Sequence, residues 1–189
     1  VLVNNAGISF RDIFENTSAD AISRFMNINF ISNTIVTKMF LPLLKKSKEG
    51  RILVTSSITG YFSNPARTLY VASKAAINSF YNSLRAEIRK YGISVTIICP
   101  YYVCTALSSR ALTGDGKQFG KTDKQIMKGY QPSYVVRKSL RSSFLKENEL
   151  WICPICRVFL IKFLMLFPDA MAYYANCRLA EQLETIKKD

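Results

Sequence analysis

The 189-residue sequence contains no histidine. The side chain that most often moves protons at neutral pH is therefore missing, and any proton-transferring site must be built from other groups. Acidic residues are scarce as well: thirteen Asp and Glu stand against twenty-six Lys and Arg, a formal charge of +13. That balance suits anionic partners such as phosphorylated ligands or acidic lipid surfaces, or else a solvated basic face. Seven basic residues lie between Lys117 and Arg141 with one acid, Asp123. No nucleic-acid-binding module accompanies them, so nucleic acid is not expected as a partner.

Cysteine is sparse and odd in number. Cys99, Cys104, Cys153, Cys156 and Cys177 lack the even, close spacing of a secreted disulfide framework, which points to a reducing, intracellular compartment. Cys153 and Cys156 form a C-x-x-C, but two further ligands are wanting and no histidine can supply them. They are read as buried sulfur beside an apolar helix, and no metal is expected. A long hydrophobic run is missing too. The apolar stretch "RVFLIKFLMLF", Arg157 to Phe167, is broken by Lys162. At ~1.5 Å per residue it falls well short of a hydrocarbon core of ~30 Å. It suits a lid over a cleft, a contact with a partner subunit, or a helix lying in a membrane interface, and the neighbouring basic stretch favours the interface.

The chain opens on "VLVNNAG", an apolar strand running into a turn, without an initiator methionine. It is expected to be a fragment that begins inside a fold, so that a missing leader says nothing about the complete protein. After that strand, Thr17 to Asp20 fits a helix start before a long helical pattern from Ala21 to Lys46. "RILVTSS" reads as a second buried strand, and Thr68 to Tyr91 as a helix stopped by Gly92. "ISVTIICP" reads as a third strand ended by Pro100. Tyr101 to Tyr130 is irregular; Pro132 then opens a helix to about Lys146, and "ELWI" gives a fourth short strand. Continuous apolar strands alternating with helices predict an α/β fold, a parallel sheet with helices on both faces. Ligands of such sheets bind off the carboxyl ends of the strands, here "NNAG", "TSS" and "CPYYVCT".

Within "TLYVASKAAINSF", Tyr70 and Lys74 stand four positions apart, which puts both on one face of a helix. A phenol titrates near ~10, and a cation within ~4–6 Å favours its ionised form. Such a pair can do the proton transfer that histidine does elsewhere. Ser57 ends an apolar strand thirteen residues before Tyr70, "NNAG" precedes both, and Asn29 lies in the long helix between. This set, in this order and spacing, resembles the short-chain dehydrogenase/reductase family from Val1 through Thr105, and more loosely to about Trp151.

The resemblance implies a Rossmann-like doubly wound sheet whose N-terminal strands are missing, and hydride transfer between a nicotinamide and a carbonyl/alcohol pair. It gives Tyr70 the role of general acid/base. Lys74 would lower the tyrosine pKa and hold the nicotinamide ribose, and Ser57 would orient the substrate oxygen, with Ser56 only its strand neighbour. Asn29 would help hold a water in the proton relay. Asn4, Ala6 and Gly7 resemble the turn along the cofactor's adenine ribose, and Pro100, Val103 and Thr105 the segment that closes over the carboxamide. Tyr101 stands where the family commonly has glycine.

The Gly-rich phosphate loop and the residue that separates NAD from NADP would precede Val1. "GDGKQFG", Gly114 to Gly120, follows no strand and is no substitute. Residues 1–152 are expected to form the C-terminal part of the catalytic domain, with a lid at 104–131, and residues 153–189 a helical extension. The tail looks like the membrane-associated branch that includes 11β-hydroxysteroid-dehydrogenase-like enzymes and acyl-dihydroxyacetone-phosphate reductases. That likeness implies NADP(H) over NAD(H), a lipophilic small-molecule substrate and an endoplasmic reticulum or other membrane surface. The family resemblance implies a homodimer. The alternative expectation is a non-catalytic membrane- or partner-binding scaffold that has lost the cofactor half.

Overall fold

The computed structural model describes residues 1–121 and 124–187, with the backbone alone for 124 and 180–187. Thr122 and Asp123, inside the expected lid, and Lys188 and Asp189, at the end of the expected extension, lie outside the described residues.

Four parallel strands lie side by side in chain order: β1 (Leu2–Asn4), β2 (Arg51–Thr55), β3 (Ser94–Pro100) and β4 (Glu149–Ile152). Val54 pairs with Asn4 on one side and Ile97 on the other, and Pro100 pairs with Ile152. Successive side chains of a strand point to opposite faces. Ile52, Val54, Val95 and Ile97 pack on Leu44 of α2 (Ser32–Lys46) and on Ile77 and Tyr81 of α3 (Thr68–Ile88). Leu53, Ile98 and Ile152 face the other way, toward Val135 of α5 (Pro132–Phe144). Helices thus cover both faces, and the fold is the expected Rossmann-like α/β arrangement.

The helices end where their sequences dictate. α3 runs out through a tight turn, Arg89–Tyr91, into Gly92, whose φ of 70° is the left-handed conformation that glycine adopts without strain. The long pattern from Ala21 to Lys46 is not one regular helix. α1 (Ala19–Met26) is capped by Ser18 and passes through a wider π turn, Asn27–Ile31, before α2 begins. The carbonyls of Ile28 and Asn29 there accept from Ser32 Oγ at 2.7 Å and Asn33 Nδ2 at 2.8 Å. Such turns gather at functional sites.

The segment after β3 is irregular as expected, apart from the single turn α4 (Lys124–Met127). Isolated bridges tie it down, Phe10 to Leu112 and Val103 to Tyr130. The "GDGKQFG" loop packs against the N-terminal loops: the Gly114 N–H donates to Asp12 Oδ2 at 2.8 Å, and its carbonyl accepts from the Ser18 N–H at 3.0 Å. The tail forms α6 (Ile155–Leu166) and α7 (Pro168–Lys187). Ile161 and Leu164 of α6 are buried, while Ile155, Phe159, Phe163 and Leu166 are exposed. Among the described residues no helix is long and apolar enough to cross a membrane.

Candidate active site

The carboxyl ends of β1, β2 and β3 open into a cleft of about 650 Å³. Thr55, Ser56 and Ser57 reach it from β2, and Pro100, Tyr101, Val103 and Thr105 from the end of β3 and the irregular segment after it. The first turns of α3 bring Tyr70 and Lys74 to the same space. Phe62, Val135, Val136, Leu160 and Leu164 give the cleft an apolar wall.

Tyr70 is buried and forms a side-chain hydrogen bond with Ser57. Ser57 Oγ accepts from the Thr59 N–H at 3.2 Å and the Thr59 hydroxyl at 3.0 Å, which leaves its own proton for the phenol. Burial pushes the phenol above its ordinary value, while the Ser57 hydrogen bond and the charge of Arg67 pull it down. The Lys74 ammonium donates to the Thr55 carbonyl at 2.8 Å, and it stands 5.7 Å from the centroid of the Tyr70 ring. Burial pushes that ammonium down to about 8, partly countered by the Cys99 sulfur.

Asn29 is buried and does not touch bulk solvent. Its Oδ1 accepts the Ile8 N–H at 2.8 Å and its Nδ2 donates to the Ile8 carbonyl at 2.9 Å. The same Nδ2 reaches Ser73 Oγ at 3.2 Å, and Ser73 in turn donates to the Tyr70 carbonyl at 2.8 Å. Gly7 lies against this group: a Cβ there would stand 3.3 Å from Asn29 Oδ1 and 3.7 Å from Lys74 Nζ. Its lack of a side chain lets the β1 turn approach the Asn29 carboxamide closely.

Of the ten residues expected at the site, Ser57, Tyr70, Lys74, Gly7, Pro100, Val103 and Thr105 line the cleft. Asn29 supports it from behind. Asn4 and Ala6 do not reach it. Asn4 Nδ2 is turned toward the helices, donating to Thr37 Oγ1 at 2.7 Å and the Tyr81 hydroxyl at 2.7 Å, and Ala6 is exposed to solvent. Asn5 takes the place by the cleft instead. Ser56 hydrogen-bonds Asn78 Oδ1 at 2.5 Å, as suits a strand neighbour. Tyr101 is accommodated in the cleft wall beside Tyr102, ring centroids 4.4 Å apart, and its N–H extends the sheet by donating to the Ile152 carbonyl at 2.9 Å.

The C-x-x-C corrects one expectation. Cys153 is half-buried, but Cys156 is exposed in the first turn of α6, so the pair is not buried together. Sequence reasoning also passed over Arg67, one helical turn before Tyr70, and Arg11 and Arg110, which join it in the lining. The three-residue interval between Arg67 and Tyr70 was the available signal.

The sequence model of the family described as short chain dehydrogenase matches residues 1–115. A dehydrogenase/reductase SDR family protein 7-like from Anopheles gambiae is 41% identical over 155 residues, covering 82% of this chain and 49% of its own. The dehydrogenase/reductase SDR family member 7B of Bos taurus is 38% identical over 150 residues, 79% of this chain and 46% of its own. The chain thus spans about half the length of the curated relatives it matches. Among solved structures, a Burkholderia cenocepacia short chain dehydrogenase in complex with NADP superposes with a TM-score of 0.74 at 20% identity. It covers 92% of this chain and 67% of its own. A Burkholderia phymatum short chain dehydrogenase/reductase in complex with NAD gives 0.73 at 19% identity, covering 85% and 63%. At those identities the likeness is one of fold.

Proposed function

The chain belongs to the short-chain dehydrogenase/reductase family, and from that premise we propose that the complete protein is an NAD(P)(H)-dependent oxidoreductase acting on a carbonyl/alcohol pair. The observation that carries this reading is the convergence of Ser57, Tyr70 and Lys74 in one cleft at the carboxyl ends of the strands. Tyr70 gives its proton to the carbonyl oxygen in reduction and takes it from the alcohol in oxidation. Ser57 hydrogen-bonds the same oxygen and holds it against the phenol. Lys74 holds ribose hydroxyls, and Asn29 fixes the turn on which they rest.

The residues present fit the nicotinamide-ribose end of the cofactor. Gly7 leaves room beside Lys74 Nζ, and Pro100, Val103 and Thr105 line the facing wall. When bound, the cofactor supplies or accepts the hydride. The likeness of the tail to the membrane-associated branch supports NADP(H) over NAD(H).

The apolar wall of Phe62, Val135, Val136, Leu160 and Leu164 supports a lipophilic substrate such as a steroid, retinoid or acyl-lipid ketone. α6 serves two surfaces in this reading. Leu160 and Leu164 close the cleft, while Phe159, Phe163 and Leu166, flanked by Arg157 and Lys162, face outward as a helix lying on an intracellular membrane would. Ile35, Met39 and Leu43 form an exposed stripe on α2, which supports a homodimer.

A fluorescence titration with NADPH and NADH, on the complete protein and on this chain side by side, tests the proposal. Binding by the complete protein, tighter for NADPH, is expected. Binding by neither would overturn it in favour of a scaffold that does not catalyse.

A further inference from the structure

Tyr61 directly follows the short turn Ile58–Gly60, which begins at Ser57. Its hydroxyl donates to Glu149 Oε1 at 2.6 Å, across eighty-eight positions of the chain. Trp151, two residues along β4 and so on the same face, donates its indole N–H to Glu149 Oε2 at 3.1 Å, and its ring lies 4.7 Å from that of Tyr61. Both carboxylate oxygens are thus engaged. Glu149 is itself held in place: it pairs with Ile97 of β3, and the Asn148 carbonyl just before it accepts Arg85 Nη2 at 2.8 Å and the Ile97 N–H at 3.0 Å. Burial above all, with the Cys99 sulfur and the Glu149 carboxylate adding to it, pushes the Tyr61 phenol above its ordinary value, so it stays a donor. Tyr61, Glu149 and Trp151 all lie outside the lining of the cleft.

Packing alone does not need this carboxylate. Tyr61 and Trp151 already lie against the apolar cluster that holds Ile97 and Cys99, and an apolar side chain of similar volume would fill the place of the half-buried Glu149 without burying part of a charge. What the carboxylate adds is direction. A charge-assisted hydrogen bond of this length holds the Tyr61 ring in one position, and that ring ends a stiff turn. The Tyr61 N–H donates to the Ile58 carbonyl at 3.0 Å and the Gly60 N–H to the Ser57 carbonyl at 3.1 Å, while Ser57 Oγ accepts from the Thr59 N–H. Gly60 presses the turn against the backbone of α3, and Tyr61 ties it to β4. Phe62, next in the chain, lines the cleft and meets Tyr174 of α7 edge to face, ring centroids 6.2 Å apart. We propose that Glu149 is a positioning residue for the reaction: acting through Tyr61 from outside the cleft, it fixes the turn from which Ser57 meets the substrate oxygen. This rests on the reading of Ser57 as the group that orients that oxygen.

The test pairs kinetics with amide hydrogen exchange on the complete protein. Tyr61→Phe removes the donor and keeps the ring, Glu149→Leu removes the acceptor, and Glu149→Gln keeps one acceptor oxygen. In oxidation of 2-decanol with NADP+, Tyr61→Phe and Glu149→Leu should each lower kcat about tenfold with KM for NADP+ unchanged. The double variant should be no slower than either single one, because the two side chains act through one bond. Glu149→Gln should stay within about twofold of the parent. Exchange of the Gly60 amide should quicken about tenfold in Tyr61→Phe while the amides of α3 keep the parent's rates, a pattern that a general loss of stability would not give. If Glu149→Leu does not fold, Glu149→Met takes its place. With an inactive Ser57→Ala protein, a Tyr61→Phe protein that keeps the parent's kcat, or the parent's exchange at Gly60, overturns the role of Glu149. An active Ser57→Ala overturns the reading of Ser57 instead. Where the probe alcohol is not turned over, exchange at Gly60 decides alone, and an unmoved rate overturns the proposal.

Discussion

The carboxamide of Asn29 grips both backbone groups of Ile8: Oδ1 accepts its N–H at 2.8 Å while Nδ2 donates to its carbonyl at 2.9 Å. A side chain thus does for the turn after β1 what a neighbouring strand does within a sheet. The grip comes from the π turn Asn27–Ile31, and Nδ2 extends it to Ser73 on α3 at 3.2 Å. Three separate segments, the β1 turn, the π turn and the helix carrying Tyr70 and Lys74, are fastened at one buried amide.

Asn29→Ala should therefore cost more than an average polar substitution. It leaves the Ile8 N–H and carbonyl without their partner in a place where water is largely excluded, and each orphaned group costs about 1–3 kcal/mol. Urea unfolding should show a loss of roughly 2–4 kcal/mol. Cofactor affinity should fall with it, because Gly7 and Lys74 are positioned through the same amide. Unchanged stability with weakened binding would assign Asn29 to the ligand alone.

Lys74 should act against the stability of the fold. The descent of its ammonium from 10.5 to about 8 on burial corresponds to a cost of roughly 3 kcal/mol at neutral pH. Below pH 8 the native and unfolded states both carry the proton and the full cost is present. Between about 8 and 10.5 the native state releases it while the unfolded state keeps it, so this contribution to stability rises with pH through that window. Lys74→Met should raise the midpoint of thermal unfolding at pH 7 while activity is lost. The net gain should be on the order of 1–2 kcal/mol once the missing hydrogen bond to Thr55 is set against it. A drop in stability would mean that the bond to Thr55 outweighs the burial of the charge.

Gly60 sits in the short turn Ile58–Gly60 directly after Ser57, pressed against α3. A Cβ there would come within 2.5 Å of Asn78 Nδ2 and 2.9 Å of the Lys74 carbonyl. The second of these is helix backbone and cannot swing aside. Gly60→Ala should cost roughly 1–3 kcal/mol. It should also reduce kcat more than it raises KM for the cofactor, since it forces apart the turn that aims Ser57 and the helix that carries Tyr70. Activity equal to the parent's would show that the turn yields elsewhere.

The strands and the place of the site were legible because both arise from local pattern. Runs such as "ILVT" and "VTIIC" have too few polar residues to face water on either side, so they had to lie inside a covered sheet. The interval from Tyr70 to Lys74 put both on one face of α3. What could not be read depends on contacts between distant segments. Asn4 is drawn toward α2 and α3 by Thr37 and Tyr81, thirty-three and seventy-seven residues away, and so leaves the cleft to Asn5. The π turn at Asn29 answers to Ile8 and Ser73, neither of them near in sequence. Arg67 enters the cleft because Ala66 takes a left-handed conformation, which no sequence pattern favours for alanine.

The exposed stripe of α2 gives the last test. Ile35, Met39 and Leu43 recur every four residues and so share one face of the helix, with Val36 and Phe40 at its side. Met39 is 70% exposed and Leu43 62%, a cost in contact with water that a second copy of the same face would remove. Two copies related by a twofold axis present identical faces, so one substitution strikes the interface twice. Met39→Glu should convert a dimer of the complete protein to a monomer in sedimentation velocity, because two like charges would be brought together at the centre of an apolar contact. Phe163→Ser, on the outward face of α6, should leave the dimer intact but weaken retention on vesicles containing phosphatidylserine. A monomeric parent protein, or a Met39→Glu protein that sediments as the parent does, would assign the α2 stripe to some other partner.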